Sequence, residues 1–394
     1  MPPGPTDHFE KQTRSRRWSV LFAAMFALSL ATIFTFCYFV FQYLPLNYHS
    51  TNLVRGGEMF GPILAKPAKR QPVKGLHYPS LILSLTFVGV TFLISGARIF
   101  QIKQGGATYL PSLLKAVPLG DEIIFASPEG QRQEKTLRNV VSELSVVAGV
   151  QEPDVYVLPT EETINAMASG LDPDDSSILV TKGCLKYLNR EELMALMAHE
   201  FSHLINGDTK HFTTMSGWLH GLMFMKSAGF KIVSNYPHAF FIVLAMAISL
   251  IGTIGNVAGK LIQAAFSRTR ERLADQTSAQ FTRDPMALAT VLKKIGGQGP
   301  PTRISKLRHP ELAHLYVSEP QSFWEQIKAP QALLKIFSSH PPLEERIWEL
   351  DPDWDGWYWD FDKNPVDYLT QSRPAPEQTK PQTSKTRSVL IPML

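Results

Sequence analysis

Two stretches of the chain, Trp18 to Phe41 and Tyr78 to Ala97, carry no charged residue. Each is long enough to cross a hydrocarbon core of about 30 Å as a helix. The first outruns the apolar part of an ordinary signal peptide and is closed by no small-residue cleavage site, so it reads as a retained span. A polar tail, residues 1–17, precedes it and ends in Lys11, Arg14, Arg16 and Arg17; a connector bearing Gly, Pro and Lys, 45–77, leads to the second span. Two further apolar runs, 212–225 and 239–259, are separated by Lys226, Lys231, Asn235 and Pro237.

From about Leu113 the pattern becomes that of a soluble domain. Leu137, Val140, Val141, Leu144 and Val147 recur at helical spacing, and Gly149 is placed to end that helix. Asp154 to Leu158 predicts a buried strand stopped by Pro159; 164–168 and 177–181 predict two more, with a Gly/Asp/Pro turn between them. Asn189 followed by Glu192 is a capping-box signature, opening a helix that runs through Leu193 and Met197 toward Gly207. A further helix is predicted from Phe266 to Gln280. From Thr370 the chain is rich in Pro, Gln, Ser, Thr and Lys, the composition of a disordered tail.

Composition narrows the function classes. The net charge is only +4, and no basic stripe is interleaved with aromatics, so nucleic acid is not an expected partner. Two cysteines, Cys37 and Cys184, are too few for a disulfide framework and read as buried thiols.

The chemistry lies in the helix opened by Asn189. His199 and His203, four apart, project from one face one turn apart, the bite that a tetrahedral zinc needs, and Glu200 stands beside them to act on a bound water. A metzincin extension needs Gly at 206 and His at 209, but these positions hold Asn206 and Thr209. No carboxylate occurs between Asp208 and Glu271, and Asp208 lies beyond the helix-stop Gly207. Glu271 is therefore the best third ligand, ahead of His211, His220 and His238, which sit at or within apolar runs. Asp275, one turn further on, is placed to hold a ligand histidine by its other ring nitrogen; the alternative is a solvated helix charge.

The set Asn165-Ala-Met-Ala-Ser-Gly, His199-Glu-Phe-Ser-His, Ser267-Arg-Thr-Arg-Glu-Arg-Leu-Ala-Asp and His340-Pro-Pro-Leu-Glu-Glu-Arg resembles the HtpX-like membrane metalloendopeptidases, gluzincins related to the CAAX prenyl proteases. The likeness covers about 75–350. It implies that Glu271 is the third zinc ligand, that Asp275 supports the site, and that Asn165 and Ala166 lie on an edge strand pairing with substrate backbone. Met167 stands where the family usually has Phe, a change expected in a subsite. The likeness also places His340 and Arg346 near the site, either as oxyanion donors or as a helix cap and a structural ion pair.

His203 and Glu271 must meet at one ion, so 212–225 and 239–259 are expected to form a membrane hairpin between the two halves of the site. The expected fold is α+β and mainly helical: a gluzincin-type catalytic domain with a small sheet and about four transmembrane helices. Its expected divisions are 1–17, 18–100 (two spans and their loop), 101–211 (first catalytic part), 212–259 (hairpin), 260–369 (second catalytic part) and 370–394. Lys210, Lys260, Arg268, Arg270 and Arg272 flank the hairpin on the catalytic side, where the basic N-terminal tail also points, against Lys226 and Lys231 in its turn and Arg55, Lys66, Lys69, Arg70 and Lys74 in the 45–77 connector. The positive-inside rule then favours a cytoplasmic catalytic domain, in a multi-pass protein of the bacterial inner membrane by resemblance.

The expected activity is zinc-dependent peptide hydrolysis with Glu200 as general base, one zinc per subunit, on protein or peptide substrates that include membrane proteins, in quality control. A prenyl-protein protease and a catalytically silent scaffold are the rival readings. Asp351-Pro-Asp-Trp-Asp-Gly imitates the start of a calcium loop, with Asp362 at its twelfth position; an acidic aromatic surface loop is the plainer reading. The sequence sets no oligomeric state.

Overall fold

The fold is built around one well-capped helix, α6 (Arg190–Ile205). Asn189 accepts from the Glu192 amide and Glu192 reaches back to the Asn189 amide, satisfying two donors that the helix start would otherwise leave open. Gly207 adopts φ 69°, a left-handed turn that ends the helix without Cβ strain. The computed structural model describes residues 20, 23–39, 78–120, 125, 127–235, 239–298, 312, 317, 338 and 340–369. The 1–17 and 370–394 tails and the 45–77 connector lie outside the described residues.

The soluble elements, in chain order, are α3 (Tyr109–Leu114), β1 (Val117–Pro118), α4 (Pro128–Ala148), β2 (Asp154–Leu158), β3 (Ala166–Asp172), β4 (Asp175–Thr181), α5 (Lys182–Tyr187), α6, α9 (Pro285–Gly297) and α10 (Leu343–Leu350). Their strands make one four-stranded mixed sheet, ordered β1-β2-β4-β3. β2 runs parallel to β4, while β3 pairs antiparallel with β4, Ala166 facing Val180 and Met167 facing Leu179. β3 is therefore an edge. It starts two residues later than the 164–168 expectation; the Asn165 carbonyl just before it accepts from the Thr181 amide and the Cys184 thiol.

Leu137, Val140, Val141 and Leu144 of α4 join Leu193, Leu196 and Phe201 of α6 in one apolar core. Val147 does not: it is 63 % exposed. Gly149 turns the chain at φ 67° just beyond it, and Ser145 fills the last inward position.

One of the remaining helices has an inverted pattern. In α2 (Tyr78–Gly105) the buried residues are Ser80, Ser84, Thr91, Ser95 and Ile102, while Ile82, Leu85, Phe92, Leu93 and Phe100 face outward. Small polar groups inside and large apolar groups outside suit a helix whose solvent is lipid. Tyr78–Leu114 is long and apolar enough to cross a membrane, the one such helical stretch among the described residues; α1 (Ala23–Phe39) is apolar but shorter.

The apolar runs 212–225 and 239–259 fall within two longer helices, α7 (Asp208–Asn235) and α8 (Ala239–Thr282). The helix expected over 266–280 is thus not a separate element: no Pro breaks 239–282, and a change from apolar to charged side chains does not interrupt backbone hydrogen bonding. The expected boundaries at 211/212 and 259/260 lie inside these continuous helices. α7 and α8 pack antiparallel at glycine-width distance. A Cβ on Gly252 would strike the Lys226 backbone, one on Gly255 the Leu222 carbonyl, and one on Gly259 the Met223 side chain. From Ala239 to Gly259 the helix rises about 30 Å, the thickness of a hydrocarbon core.

The 351–362 segment is an aromatic cap on α9. Trp354 packs tilted against the rings of Trp348 and Tyr358, and Asp351 is paired with Lys293 at 2.6 Å. Asp355 accepts the Trp357 amide, so two of the carboxylates that a calcium loop would use are already engaged within the protein.

Candidate metal centre

Helix periodicity puts His199, Glu200 and His203 on the buried side of α6, facing α8. The Ser278 hydroxyl donates to the Ala195 carbonyl at 2.7 Å and fixes the two helices in register. That register carries Glu271 to the histidines. His199 Nε2 lies 3.7 Å from Glu271 Oε2, and His203 Nε2 lies 3.5 Å from Glu271 Oε1. Two ligands about 2.05 Å from a tetrahedral ion stand roughly 3.3 Å apart, so these separations fit one zinc-sized cation. His199, His203 and Glu271 are the one set of three potential ligands found close together among the described residues. The donor set is right for zinc, and buried Glu200 Oε2 has no hydrogen-bond partner, leaving it available beside the same point.

The far ring nitrogens are held too. His199 Nδ1 is 2.9 Å from Asp275 Oδ1, and His203 Nδ1 is 3.3 Å from Asp208 Oδ2. An Nδ1–carboxylate contact fixes the tautomer that frees Nε2 for a metal. Asp275 is in turn clasped by Arg346, with Nε 2.8 Å from Oδ2 and Nη2 2.7 Å from Oδ1. His340 Nδ1 is 3.1 Å and Arg346 Nη1 3.4 Å from Glu271 Oε2. Arg346 is thus ion-paired with both carboxylates. His340 does not cap the following helix, whose N-cap is Pro342.

Burial opposes every charge here, and the partners decide the outcome. Burial pushes the Glu200 carboxyl up, only partly offset by the two histidines and the Ala168 amide. Burial would raise Glu271 as well, but His340, His203 and Arg346 hold it well below the usual carboxylate range. For Asp275, Arg346 and His199 likewise overcome burial and lower the pKa. Burial disfavours a charged His203, yet Asp208 and Glu271 raise its pKa to about 10, so a metal entering the site displaces a proton from this ring.

Sequence reasoning set Asp208 aside because it follows Gly207. It is no ligand, but the left-handed turn at Gly207 starts α7 with Asp208 aimed back at His203, and Arg270 pairs with its other oxygen. A carboxylate five residues beyond an HExxH histidine, just after a glycine, is the signal that locates it. Asp208→Ala is expected to weaken metal affinity by about 10- to 100-fold with helix content unchanged. Competition against a zinc indicator reads this, and an unchanged affinity would mean that Asp208 serves Arg270 alone. Of the other candidates, His211 lines a cavity of about 420 Å³ with Lys210 and Trp218, His220 faces the Phe224 ring, and His238 lies outside the described residues.

β3 runs beside the base. Asn165 and Ala166 are buried; the Ala166 amide donates to Asn165 Oδ1 at 3.0 Å. The Ala166 carbonyl accepts the Val317 amide at 3.3 Å.

The sequence signature of Peptidase family M48 matches residues 131–353. The protein described as "Protease HtpX homolog" in Thermoanaerobacter pseudethanolicus is 35% identical over 244 residues, covering 58% of this chain and 77% of that protein. The protein so described in Desulfatibacillum aliphaticivorans is 36% identical over 289 residues, covering 68% and 87%. The crystal structure of S. mikatae Ste24p aligns with TM-score 0.39 and 17% identity over 68% of this chain and 58% of that one. The matched segment runs from the first turn of α4 to just past α10 and so contains every residue of the metal centre: the chain belongs to peptidase family M48, as an HtpX-like membrane metalloprotease.

Proposed function

We propose that the chain is a zinc-dependent endopeptidase acting on membrane proteins in quality control, with its catalytic domain on the cytoplasmic face of a bacterial plasma membrane. The observation that carries this reading is the convergence of His199, His203 and Glu271 on one point beside the buried Glu200, whose Oε2 has no hydrogen-bond partner. When bound, zinc polarises the scissile carbonyl and lowers the pKa of a bound water to about 7.

The residues of the chain do the rest. Glu200 takes the proton of the attacking water at Oε2 and later delivers it to the leaving amine. Its raised pKa brings it closer to the operating pH, where a base that must also act as an acid works best. Asp275 and Asp208 keep both Nε2 atoms presented to the metal, and Arg346 keeps Asp275 ionised. The β3 edge at Asn165 and Ala166 receives the substrate backbone. Purified protein is expected to hydrolyse an unfolded polypeptide, lose that activity to a chelator and regain it with zinc. Hydrolysis indifferent to chelation would contradict the assignment.

For the membrane part we propose four spans, α1, α2 and the α7–α8 hairpin, with only the hairpin inserted between the two halves of the catalytic domain. The outward apolar faces and the glycine contacts support it. Both termini and the metal centre then share one side, and the bias of Lys and Arg toward that side makes it cytoplasmic. Cysteines placed near these two ends of the hairpin, at exposed Gln276 and near residue 233, test this in sealed cells. Only the second is expected to react with an impermeant reagent added outside; the reverse pattern would invert the topology.

A further inference from the structure

A cavity of about 420 Å³ lies between α1, α2 and α7, and the peptidase chemistry makes no use of it. Its volume falls within the range of small-molecule sites, about 300–1,000 Å³. Phe26 and Leu30 of α1, Phe92 of α2, and Met215 and Trp218 of α7 line its apolar part. The Trp218 ring lies 4.9 Å from that of Phe26 and 5.7 Å from that of Phe92, centroid to centroid. Leu28 and Leu93 are exposed on the same two helices, α1 and α2, so these walls belong to a surface suited to lipid. Water fills such an apolar cleft at a cost; an acyl chain does not.

The first two turns of α7 give the cavity its polar end. Lys210, His211 and Thr214 line it there, and spacings of three and four residues bring them together on one helix face. Lys210 is exposed and makes no ion pair with any described residue. Asp208, two residues back, is already engaged by His203 and Arg270. Around His211, the positive charges of Arg270 and Lys210 stand against the single negative charge of Asp208. Two cations against one carboxylate leave this end positive. From Lys210 to Trp218 the helix rises about 12 Å. The cation thus stands where α7 leaves the catalytic domain, with the aromatic rings deeper along the span. Headgroup and chain follow in the same order in a phospholipid of the leaflet that faces the metal centre.

We infer that this cavity binds one phospholipid with an anionic headgroup, its phosphate on Lys210, His211 and Thr214 and one acyl chain along Leu30, Phe92 and Trp218. Anionic headgroups are bound by basic pockets between membrane helices on the cytoplasmic side. A zwitterionic lipid offers the same chain without net charge, and free phosphate offers the charge without a chain, so tight binding needs both halves of the site. The turn that supplies Lys210 also carries Asp208 to His203, which anchors the headgroup within one turn of a residue that supports the metal centre. The inference rests on the proposed membrane placement, whose own failure is seen separately by the cysteine labelling.

The test uses the full-length, zinc-loaded protein in a nonionic detergent. It is titrated with chain-labelled fluorescent phosphatidylglycerol and, separately, with phosphatidylcholine of the same chains. Phosphatidylglycerol is expected to bind at least about fivefold more tightly, the worth of one cation near a membrane surface. Lys210→Gln is expected to remove most of that preference, and Lys210→Arg to keep it. Ala27→Trp fills the cavity from α1. It is expected to weaken both lipids about tenfold or more, the worth of some two buried methylenes, with zinc content and unfolding temperature unchanged. Should Ala27→Trp fail to fold, the two Lys210 variants decide.

Equal affinity for the two lipids, a preference untouched by Lys210→Gln, or binding untouched in a folded Ala27→Trp protein would each overturn the inference. Competition separates the other occupants. Inorganic phosphate is expected not to displace the lipid; displacement would make the polar end a simple anion site. Displacement of both lipids alike by an apolar peptide would assign the cavity to substrate instead. Either result contradicts a lipid site.

Discussion

Glu200→Gln is expected to retain zinc and to hydrolyse peptide at least about 10²–10⁴ times more slowly than the parent, the usual worth of a positioned general base. The substitution keeps the shape of a side chain that is 1 % exposed but cannot take a proton. None of the ligand-to-ligand contacts, His199 and His203 to Glu271, involves Glu200. The effect should fall on kcat rather than on metal content. Turnover within tenfold of the parent would move the base elsewhere.

Arg346→Met is expected to destabilise the zinc-loaded protein by about 3–5 kcal/mol, the cost of removing one partner from a buried ion pair. Arg346 is 1 % exposed, and its fork holds both oxygens of Asp275 while a third nitrogen lies near Glu271. Without it, two buried carboxylates face each other across the site with only histidines and the metal to balance them. Arg346→Lys is expected to recover only part of the loss, since a single ammonium does not reproduce a bidentate clasp. Denaturant titration decides the matter, and a loss below about 1 kcal/mol would mean that the pair is solvated.

Much of the site was legible before any coordinates. A capping box fixed the start of α6, and four-residue spacing put both histidines on one face. The long gap without carboxylates singled out Glu271, and Asp275 followed one turn later. What escaped depended on backbone geometry that residue types do not encode. Asp208 was passed over because nothing but the left-handed turn at Gly207 brings it back to His203. The continuity of α8 was missed because a shift to Arg and Glu looks like a boundary, yet it leaves the backbone hydrogen bonds intact, and no proline breaks 239–282. Val317 left no trace, because its contacts are made by main-chain atoms that every residue has. The α7–α8 hairpin was inferred from one metal needing two distant ligands. Its packing rests on Gly252, Gly255 and Gly259, whose role shows only once the opposite helix is in place.

The account turns on Glu271 as a ligand rather than a second base, and its metal content tests that most directly. Zinc per chain is to be measured on purified parent and Glu271→Ala protein after identical loading and washing. The parent is expected to hold about one ion. The variant, left with two histidines where catalytic zinc ordinarily has three protein ligands, is expected to lose most of it, along with stability where α6 meets α8. One tightly held zinc per chain in Glu271→Ala, with cleavage intact, would contradict the account.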